Sequence, residues 1–267
     1  MKKKILSLFI LSMFVMTPVI AKEKIKVDNP QNGIYVFKIN TKKYGSKIKP
    51  YVTANLTTPQ KVYEQNCFDL VVNGGFFDVK SGKSVSYTTI DSKVVSDPSN
   101  LPELVGWLKK EERLDKVLSR SELRILENDR NKLKFDIARH NDPVKKGYHI
   151  KHVLQAGPGI IPCVDLVGEG FVVYENDRVK MQSVDILKRR ERTLIGLKGN
   201  NLYIVLFTKD HKVDANELKQ YAKDTLKLKK AMALDGGLST AINYKDMNIG
   251  SLGKYQRRVK SFLVIER

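Results

Sequence analysis

Short apolar and β-branched runs recur along most of the chain and predict β-strands. They cover residues 33–40, 68–77, 132–139, 192–197, 202–208, 231–234 and 259–265. Residues 84–95 are typical of a hairpin that turns at Asp91 and Ser92. Residues 198–201, Lys-Gly-Asn-Asn, lie between two further runs and predict a second hairpin.

Helical periodicity is rarer and is clearest over residues 215–227. Asp214 precedes this stretch as a capping residue, and Glu217 three positions later completes a capping box. The apolar face of the predicted helix comprises Leu218, Tyr221, Ala222 and Leu226. A weaker helical pattern covers residues 102–118, where we expect Trp107 to anchor the core. Many strands with few helices predict an α+β fold, a mostly antiparallel mixed sheet with a few flanking helices in a single domain.

The N-terminus has the pattern of a secretory signal peptide. Lys2, Lys3 and Lys4 precede an apolar stretch over residues 5–20, and charged residues follow Ala21 directly. We therefore predict a signal peptide over residues 1–21, one domain over residues 22–267, and a secreted or periplasmic protein. An uncleaved N-terminal anchor is the alternative.

The chain is strongly basic, with 48 lysine and arginine residues against 29 acidic residues and a formal net charge of +19. This charge can reflect residue usage in the source organism, or attraction to anionic polymers of the cell envelope. Nucleic acid is not an expected partner, because the lysines are spread along the chain without an interleaved stacking motif. Cys67 and Cys163 show no zinc-site spacing, and whether they pair is left open.

Three segments interrupt apolar runs with glycine and polar residues. The first contains Asn73, Gly74 and Gly75, followed by two phenylalanines and Asp78. The second is Gln-Ala-Gly-Pro-Gly over residues 155–159, which predicts a strand with a sharp bend. The first segment is also compatible with an ordinary tight turn followed by core aromatics, and the second alone indicates little about function.

The third segment carries the strongest chemical signal. The short apolar run over residues 231–234 ends in Asp235, and Gly236, Gly237, Ser239 and Thr240 follow. A carboxylate at a strand tip with glycines and hydroxyl groups behind it suits a polar ligand better than a core. A turn aspartate at a strand end is the plain alternative.

One arginine is a further candidate for phosphate binding, and motifs of other hydrolase and metal sites are absent from the sequence. Of Arg189, Arg190 and Arg192, only Arg192 lies at the start of a predicted strand, so it is the one that we expect to point inward. Its guanidinium suits a phosphate or a carboxylate. His149 and His152 would lie on opposite faces of a strand, which makes a metal pair improbable. The sequence contains neither a Gly-x-Ser-x-Gly elbow nor a His-Glu-x-x-His motif. We expect no cofactor and no metal site from these motifs, and whether a divalent cation bridges phosphate oxygens is left open.

Taken in order, these segments resemble the phosphodiester glycosidase family. The matching residues are Asn73 to Asp78, Gly157-Pro158, Arg192-Thr193-x-x-Gly196 and Leu234-Asp235-Gly236-Gly237-x-Ser239-Thr240. The resemblance spans roughly residues 30–267. Leu238 departs from the family pattern, because a small glycine usually takes that place.

The resemblance implies a hydrolase that removes a sugar from a phosphodiester and has a phosphorylated glycan as its substrate. We predict Asp235, Arg192 and Asp78 as catalytic residues, with Arg192 as the phosphate clamp. The predicted substrate-binding residues are Asn73, Gly74, Gly75, Gly157, Thr193, Gly236, Gly237, Ser239 and Thr240. The alternatives are a non-catalytic envelope protein that binds phosphorylated or acidic glycans, and a hydrolase of ordinary glycosides.

Overall fold

A computed structural model describes residues 25–183 and 185–267. The predicted signal peptide lies outside the described residues. No helix within the described ranges has the length and apolarity needed to cross a membrane. The thiols of Cys67 and Cys163 are both exposed and free, so these residues form no disulfide with each other.

Strands dominate the fold, and short helices flank them. In chain order the strands are β1 (Lys26–Gln31), β2 (Ile34–Asn40), β3 (Ile48–Thr57), β4 (Phe68–Asn73), β5 (Thr88–Ile90), β6 (Lys93–Ser96), β7 (Ser121–Glu127), β8 (Leu133–Arg139), β9 (His149–Gln155), β10 (Gly159–Ile161), β11 (Val172–Glu175), β12 (Arg178–Gln182), β13 (Arg192–Lys198), β14 (Asn201–Phe207), β15 (Lys230–Ala233), β16 (Ala241–Tyr244), β17 (Met247–Gly250) and β18 (Val259–Glu266). The α-helices are α1 (Thr41–Tyr44), α2 (Pro59–Gln65), α3 (Pro102–Lys110), α4 (Leu114–Leu118) and α5 (Ala215–Gln220). Short 3₁₀ turns cover Gly45–Lys47, Pro98–Asn100 and Gly237–Ser239.

Three sheets and a small ribbon arrange these strands. The central sheet has the order β1-β2-β14-β13-β15-β10, the second sheet β17-β16-β4-β18-β3 and the third sheet β6-β5-β9-β7-β8, while β11 and β12 form the ribbon. Neighbouring strands are antiparallel in all three sheets and in the ribbon. The predicted α+β class with mostly antiparallel sheet is therefore confirmed.

The alternation of side chains along each strand divides the core into layers. On one face of the central sheet, Phe37, Ile195 and Ile204 join apolar residues of the second and third sheets in the main core. The opposite face, with Leu194 and Val205, packs against helix α5. The outer face of the second sheet forms a smaller cluster with helix α2. Strands β13, β14 and β15 of the central sheet are thus buried on both faces, which explains their nearly continuous apolar runs, whereas the edge strand β1 is exposed.

Two predicted elements are shorter than their patterns suggested. The run over residues 68–77 leaves the sheet after Asn73: the N–H of Gly74 still donates to the carbonyl of Ser261 in β18 at 2.8 Å, and the chain then turns away. The helix predicted over residues 215–227 is α-helical only to Gln220 and continues as a π-helical turn over Tyr221–Thr225. Its capping box of Asp214 and Glu217 is present, as expected.

The prediction for Trp107 was wrong. The helical pattern over residues 102–118 forms two separate helices, α3 and α4, and Leu108 is the buried residue of α3. Trp107 is 51% exposed. The guanidinium of Arg113, which is buried, lies 5.2 Å from the centroid of the Trp107 ring, so the exposed indole covers a buried cation.

Candidate functional site

The strand register brings the predicted segments together at one edge of the central sheet. Strand β15 runs antiparallel to β13, and Leu194 pairs with Ala233, so the end of β15 lies beside the beginning of β13. The N–H of Leu234 donates to the carbonyl of Thr193 at 2.8 Å, and that of Gly157 donates to Ala233 at 3.1 Å. The segments near residues 157, 192 and 235 are therefore direct neighbours.

The carboxamide of Asn73 attaches the second sheet to this edge. Its Nδ2 donates to the carbonyl of Asp235 at 2.7 Å. Its Oδ1 accepts from the hydroxyl of Thr193 at 2.8 Å and from the N–H of Ala241 at 3.1 Å. The side chain is fully buried, so one amide satisfies three polar groups from three segments. These hydrogen bonds fix the position of Asp235, and the substrate-binding role of Asn73 and Thr193 stays a prediction.

The two glycines after Asn73 are required by close backbone packing. A Cβ at Gly74 would lie 2.7 Å from Oγ of Ser261, and one at Gly75 would lie 2.5 Å from Oγ of Ser86. The N–H of Gly75 donates to the Ser261 hydroxyl at 3.0 Å. The N–H of Gly74 is also bonded, to the Ser261 carbonyl, so both donors have partners within the protein. The predicted substrate-binding role of Gly74 and Gly75 stays a prediction.

A buried carboxylate stabilises the bend at Gly157 and Pro158, where the peptide bond is cis. Oε1 of Glu169 accepts from the N–H of Gly159 at 2.8 Å, and Oε2 accepts from the N–H of Ser121 at 2.8 Å. A Cβ at Gly157, whose φ is +90°, would lie 2.5 Å from Oε2 of Glu169. Gly157 is thus fitted to a protein carboxylate, and nothing in the sequence pattern had marked Glu169.

A buried arginine lies behind this bend. The guanidinium of Arg120 is 3.9 Å from the ring centroid of Phe171 and 5.3 Å from that of Phe76. Burial lowers the pKa of Arg120 to about 9, and the nearby Glu169 carboxylate partly opposes that shift. Phe76 therefore packs between the main core and the guanidinium of Arg120.

Asp235 lies at the centre of the convergence and is 8% exposed. Its Oδ1 accepts from the N–H of Gly236 at 3.0 Å. Burial raises the pKa of its carboxyl to about 6, and the Ser239 hydroxyl, Arg257 and Arg192 act in the opposite direction. The site therefore holds a carboxylate that changes protonation state near neutral pH, as acid–base groups in active sites do.

Arg192 reaches the same region, and backbone carbonyls engage much of its guanidinium. Nη2 donates to the carbonyls of Asp185 and Lys188 at 2.9 and 2.8 Å, and Nε lies 3.4 Å from the carbonyl of Val213. The residue is 3% exposed, and its burial lowers its pKa. Arg192 thus holds the turn around residue 186 in place, and its assignment as phosphate clamp stays a prediction.

A second arginine near Asp235 was not marked by the sequence. Arg257 lies in the segment before β18, is half-buried, and lowers the pKa of Asp235 by its charge. Its guanidinium is 5.5 Å from the ring centroid of Phe77. Within residues 25–183 and 185–267 it makes no hydrogen bond or ion pair. The sequence contains 48 lysine and arginine residues, so Arg257 can be distinguished from the others only by its position near Asp235 in the fold.

The residues after Asp235 form an open turn. Gly237 has a φ of +58°, and a Cβ there would meet no atom within 4 Å. Leu238 is 43% exposed, so the residue that departs from the family pattern projects from the surface. The Thr240 hydroxyl is buried and has no hydrogen-bond partner among the described residues. Gly237 and Leu238 therefore face open space, whereas the unpaired Thr240 hydroxyl is enclosed, and its predicted contact with substrate stays a prediction.

Asp78 stands apart from this group. It is exposed at the start of a surface turn, where its carboxylate accepts from the Ser81 hydroxyl at 2.6 Å and from the N–H groups of Lys80 and Ser81 at 3.1 Å. The Ser81 hydroxyl contributes most to lowering its pKa. No contact in the described part of the chain joins it to Asp235, and its catalytic role stays a prediction. The described residues also contain no cluster of three His, Cys, Asp or Glu side chains that could hold a metal ion.

Comparison with known proteins gives a family match and three similar folds. A family model described as phosphodiester glycosidase matches residues 66–266. The catalytic domain of zebrafish N-acetylglucosamine-1-phosphodiester alpha-N-acetylglucosaminidase, auto-inhibited by its pro-peptide, superposes with a TM-score of 0.62 at 12% identity, covering 91% of this chain and 82% of that one.

Two bacterial structures share the fold as well. A hypothetical protein from Synechocystis gives a TM-score of 0.58 at 14% identity over 91% of this chain and 61% of that one. A protein from Burkholderia pseudomallei assigned as exported gives 0.54 at 12% identity, covering 88% and 74%. A search of curated protein sequences found no match.

The raised pKa of Asp235 predicts a pH-dependent effect on stability. An aspartate in the unfolded chain titrates near pH 4, so the folded state binds the proton more tightly between about pH 4 and 6 and loses stability as the pH rises through that window. Asp235→Asn removes this titration. We expect its unfolding free energy, relative to the parent protein, to increase by up to roughly 3 kcal/mol between pH 4 and pH 7.

Urea unfolding at several pH values measures this difference. Asp246→Asn, in the exposed turn between β16 and β17, is the control, and its effect should stay within about 0.5 kcal/mol throughout. A difference between Asp235→Asn and the parent protein that is the same at pH 4 and pH 7 would contradict the buried, proton-binding carboxylate.

Proposed function

Since the chain belongs to the phosphodiester glycosidase family, we propose that it hydrolyses the bond between a sugar and a phosphate in a sugar phosphodiester of a glycan. One observation carries this proposal beyond the family: a buried carboxylate with a pKa of about 6 lies close to two arginines, Arg192 and Arg257. An anionic substrate and a proton-accepting group can meet at such a site.

The chemistry requires little from the protein beyond these groups. Water forms a bond to the anomeric carbon, and the bond from that carbon to the bridging oxygen breaks, leaving its electron pair on the phosphate. The products are the free sugar and a phosphate monoester. Because phosphate is a good leaving group, strong general-acid assistance is less necessary than in ordinary glycosidases.

Asp235 is the group that accepts the proton from the attacking water in this scheme. At neutral pH a carboxyl with a pKa of about 6 is mostly ionised and still basic enough to take a proton. Ser239 and the N–H of Gly236 orient it through hydrogen bonds.

The positive side chains are suited to the phosphate. Arg257 makes no ion pair within the described ranges, so its guanidinium can bind a phosphate oxygen without first losing a partner. Two nitrogens of Arg192 are already bonded to carbonyls, which favours Arg257 as the main phosphate ligand and Arg192 as a contributor of charge.

The N-terminal pattern supports export. Three lysines, an apolar stretch and Ala21 are the parts of a signal peptide, and we include a secreted or periplasmic location in the proposal. Expression of the full chain in a bacterial host should give a mature protein that begins at Lys22, as read by N-terminal sequencing of the secreted or periplasmic fraction. A protein retained in the membrane that still begins at Met1 would contradict cleavage.

The activity is tested with a panel of sugar-1-phosphodiesters and with aryl glycosides that lack phosphate. We expect free sugar to be released from the phosphodiesters, with an acidic limb of kcat/KM near pH 6. Asp235→Asn should lower turnover at least ~100-fold, the usual loss for one acid–base or electrostatic group.

Activity of Asp235→Asn within a few-fold of the parent enzyme, in a protein with an unchanged fold, would remove Asp235 from this role. Preference for the aryl glycosides would instead support hydrolysis of ordinary glycosides. Binding of phosphodiesters without any release of sugar would favour a non-catalytic glycan-binding protein.

Arg257 and its neighbour Arg258 form a matched pair for testing the phosphate contact. Arg258 is exposed and makes no hydrogen bond or ion pair within the described residues, whereas Arg257 lies against Phe77 and near Asp235. Arg257→Ala should lower kcat/KM for sugar phosphodiesters by ~100-fold, because an electrostatic donor is lost, and Arg258→Ala should change it less than about threefold. Steady-state kinetics on one phosphodiester measures both; equal effects of the two substitutions would contradict the assignment.

A further inference from the structure

A large basic groove lies at the end of the molecule opposite Asp235. Its cavity has a volume of about 750 Å³, and Lys42, Lys132, Lys134, Phe135 and Tyr148 are among its lining residues. We call it the lysine groove. Its volume falls within the range of ligand-binding pockets.

The strand register shows the separation between the groove and Asp235. Leu197, Gly199 and Asn200 line the groove at the turn between β13 and β14, whereas Arg192 and Thr193 begin β13 at the other end. The rise of an extended strand puts about 20 Å between the two ends of β13. In the third sheet, Leu133 pairs with Glu127 at the groove end, and Arg139 pairs with Ser121 near Gly157. Two sheets thus place the groove and the Asp235 site at opposite ends.

The charges of the groove have no counterpart in the protein. No aspartate or glutamate lines it. Within the described ranges, the ammonium groups of Lys42, Lys132 and Lys134 form neither hydrogen bonds nor ion pairs. Elsewhere lysines do find carboxylates, as Lys151 does with Glu127 at 2.7 Å and Lys230 with Asp136 at 2.5 Å. Three unpaired ammonium groups around one cavity favour an anionic occupant.

The remaining lining residues suit a sugar better than a nucleic acid. Thr41, Ser46, Asn131 and Asn200 supply hydroxyl and amide groups, and the rings of Phe135 and Tyr148 supply apolar surface. The groove contains no arginine, the residue that reads base edges and phosphates with two parallel hydrogen bonds. Single-stranded nucleic acids are bound by stacking successive bases on aromatic side chains, and two rings are few for that purpose.

We propose that the lysine groove is a second binding site, which holds a phosphodiester-linked glycan some 20 Å away from the bond that is cut. This rests on the proposed function, since the groove would bind another part of the polymer whose sugar–phosphate bond lies at Asp235. Lys42, Lys132 and Lys134 bind phosphates of the polymer as point charges. The groove therefore raises affinity for long chains and leaves short substrates unaffected, because these cannot reach both sites.

The test compares a triple variant, Lys42→Gln with Lys132→Gln and Lys134→Gln, with a control that loses the same charge elsewhere. The control is Lys109→Gln with Lys110→Gln and Lys116→Gln, on α3 and α4, where all three lysines are exposed. The probe is a fluorescent oligosaccharide of about ten sugars joined by phosphodiesters. Binding is measured by anisotropy at several salt concentrations, and cleavage of a single sugar-1-phosphodiester is measured in parallel.

We expect the groove variant to bind the oligosaccharide at least ~10-fold more weakly than the control, with a slope of log Kd against log salt that is lower by roughly 2, as loss of three phosphate contacts implies. Its kcat/KM on the single phosphodiester should stay within about twofold of the parent value. Circular dichroism spectra and melting temperatures should match for both variants, because the substituted side chains lie at the surface.

Two results would overturn the proposal. One is equal loss of oligosaccharide affinity in the groove variant and the control, which would show a general effect of charge. The other is tighter binding of single-stranded polydeoxythymidylate of the same charge, which would identify the groove as a nucleic-acid site. If the parent protein cleaves no phosphodiester but still shows groove-dependent oligosaccharide binding, the proposed function fails and the groove assignment holds.

Discussion

The hydrogen bonds of the Asn73 carboxamide hold the candidate site together. Asn73 ends strand β4, and its buried amide is bonded to strand β13, to the segment after β15 and to strand β16, which lie in two sheets. It fixes the carbonyl of Asp235, and thereby the direction in which the acidic side chain leaves the backbone. Each bond is worth only about 1 kcal/mol net, but leaving three buried groups unpaired would cost several times that amount.

A charge balance around Asp235 follows from this geometry. The carboxyl lies where burial favours its neutral form, while two arginines and a hydroxyl favour the ionised form, and the result is a pKa of about 6. Such a group destabilises the fold at neutral pH, a cost that is common at sites where reactivity is needed. Glu169 and Arg120 are also buried, but hydrogen bonds and aromatic rings surround them, so they support the bend at Gly157 without being poised for chemistry.

The sequence predicted the fold class better than it predicted the contacts of individual side chains. The apolar runs revealed the strands because β13, β14 and β15 are buried on both faces, and the Asp214 capping box marked the start of α5. The sequence pattern singled out Gly74 and Gly75. A side chain is excluded at these positions by contact with Ser261 and Ser86, which depends on how distant segments pack and cannot be predicted from one segment. The same limit hid Arg257, whose proximity to Asp235 exists only after β18 has joined the second sheet.

The central claim is that the protein breaks the bond between the anomeric carbon and oxygen at a site organised around Asp235. Hydrolysis of a sugar-1-phosphodiester in ¹⁸O-labelled water tests it most directly, with both products analysed by mass spectrometry before the anomeric oxygen exchanges. Our account predicts that the label enters the free sugar and that the phosphate monoester stays unlabelled. Label in the phosphate product would mean that water attacks phosphorus, and it would contradict a glycosidase mechanism at this site.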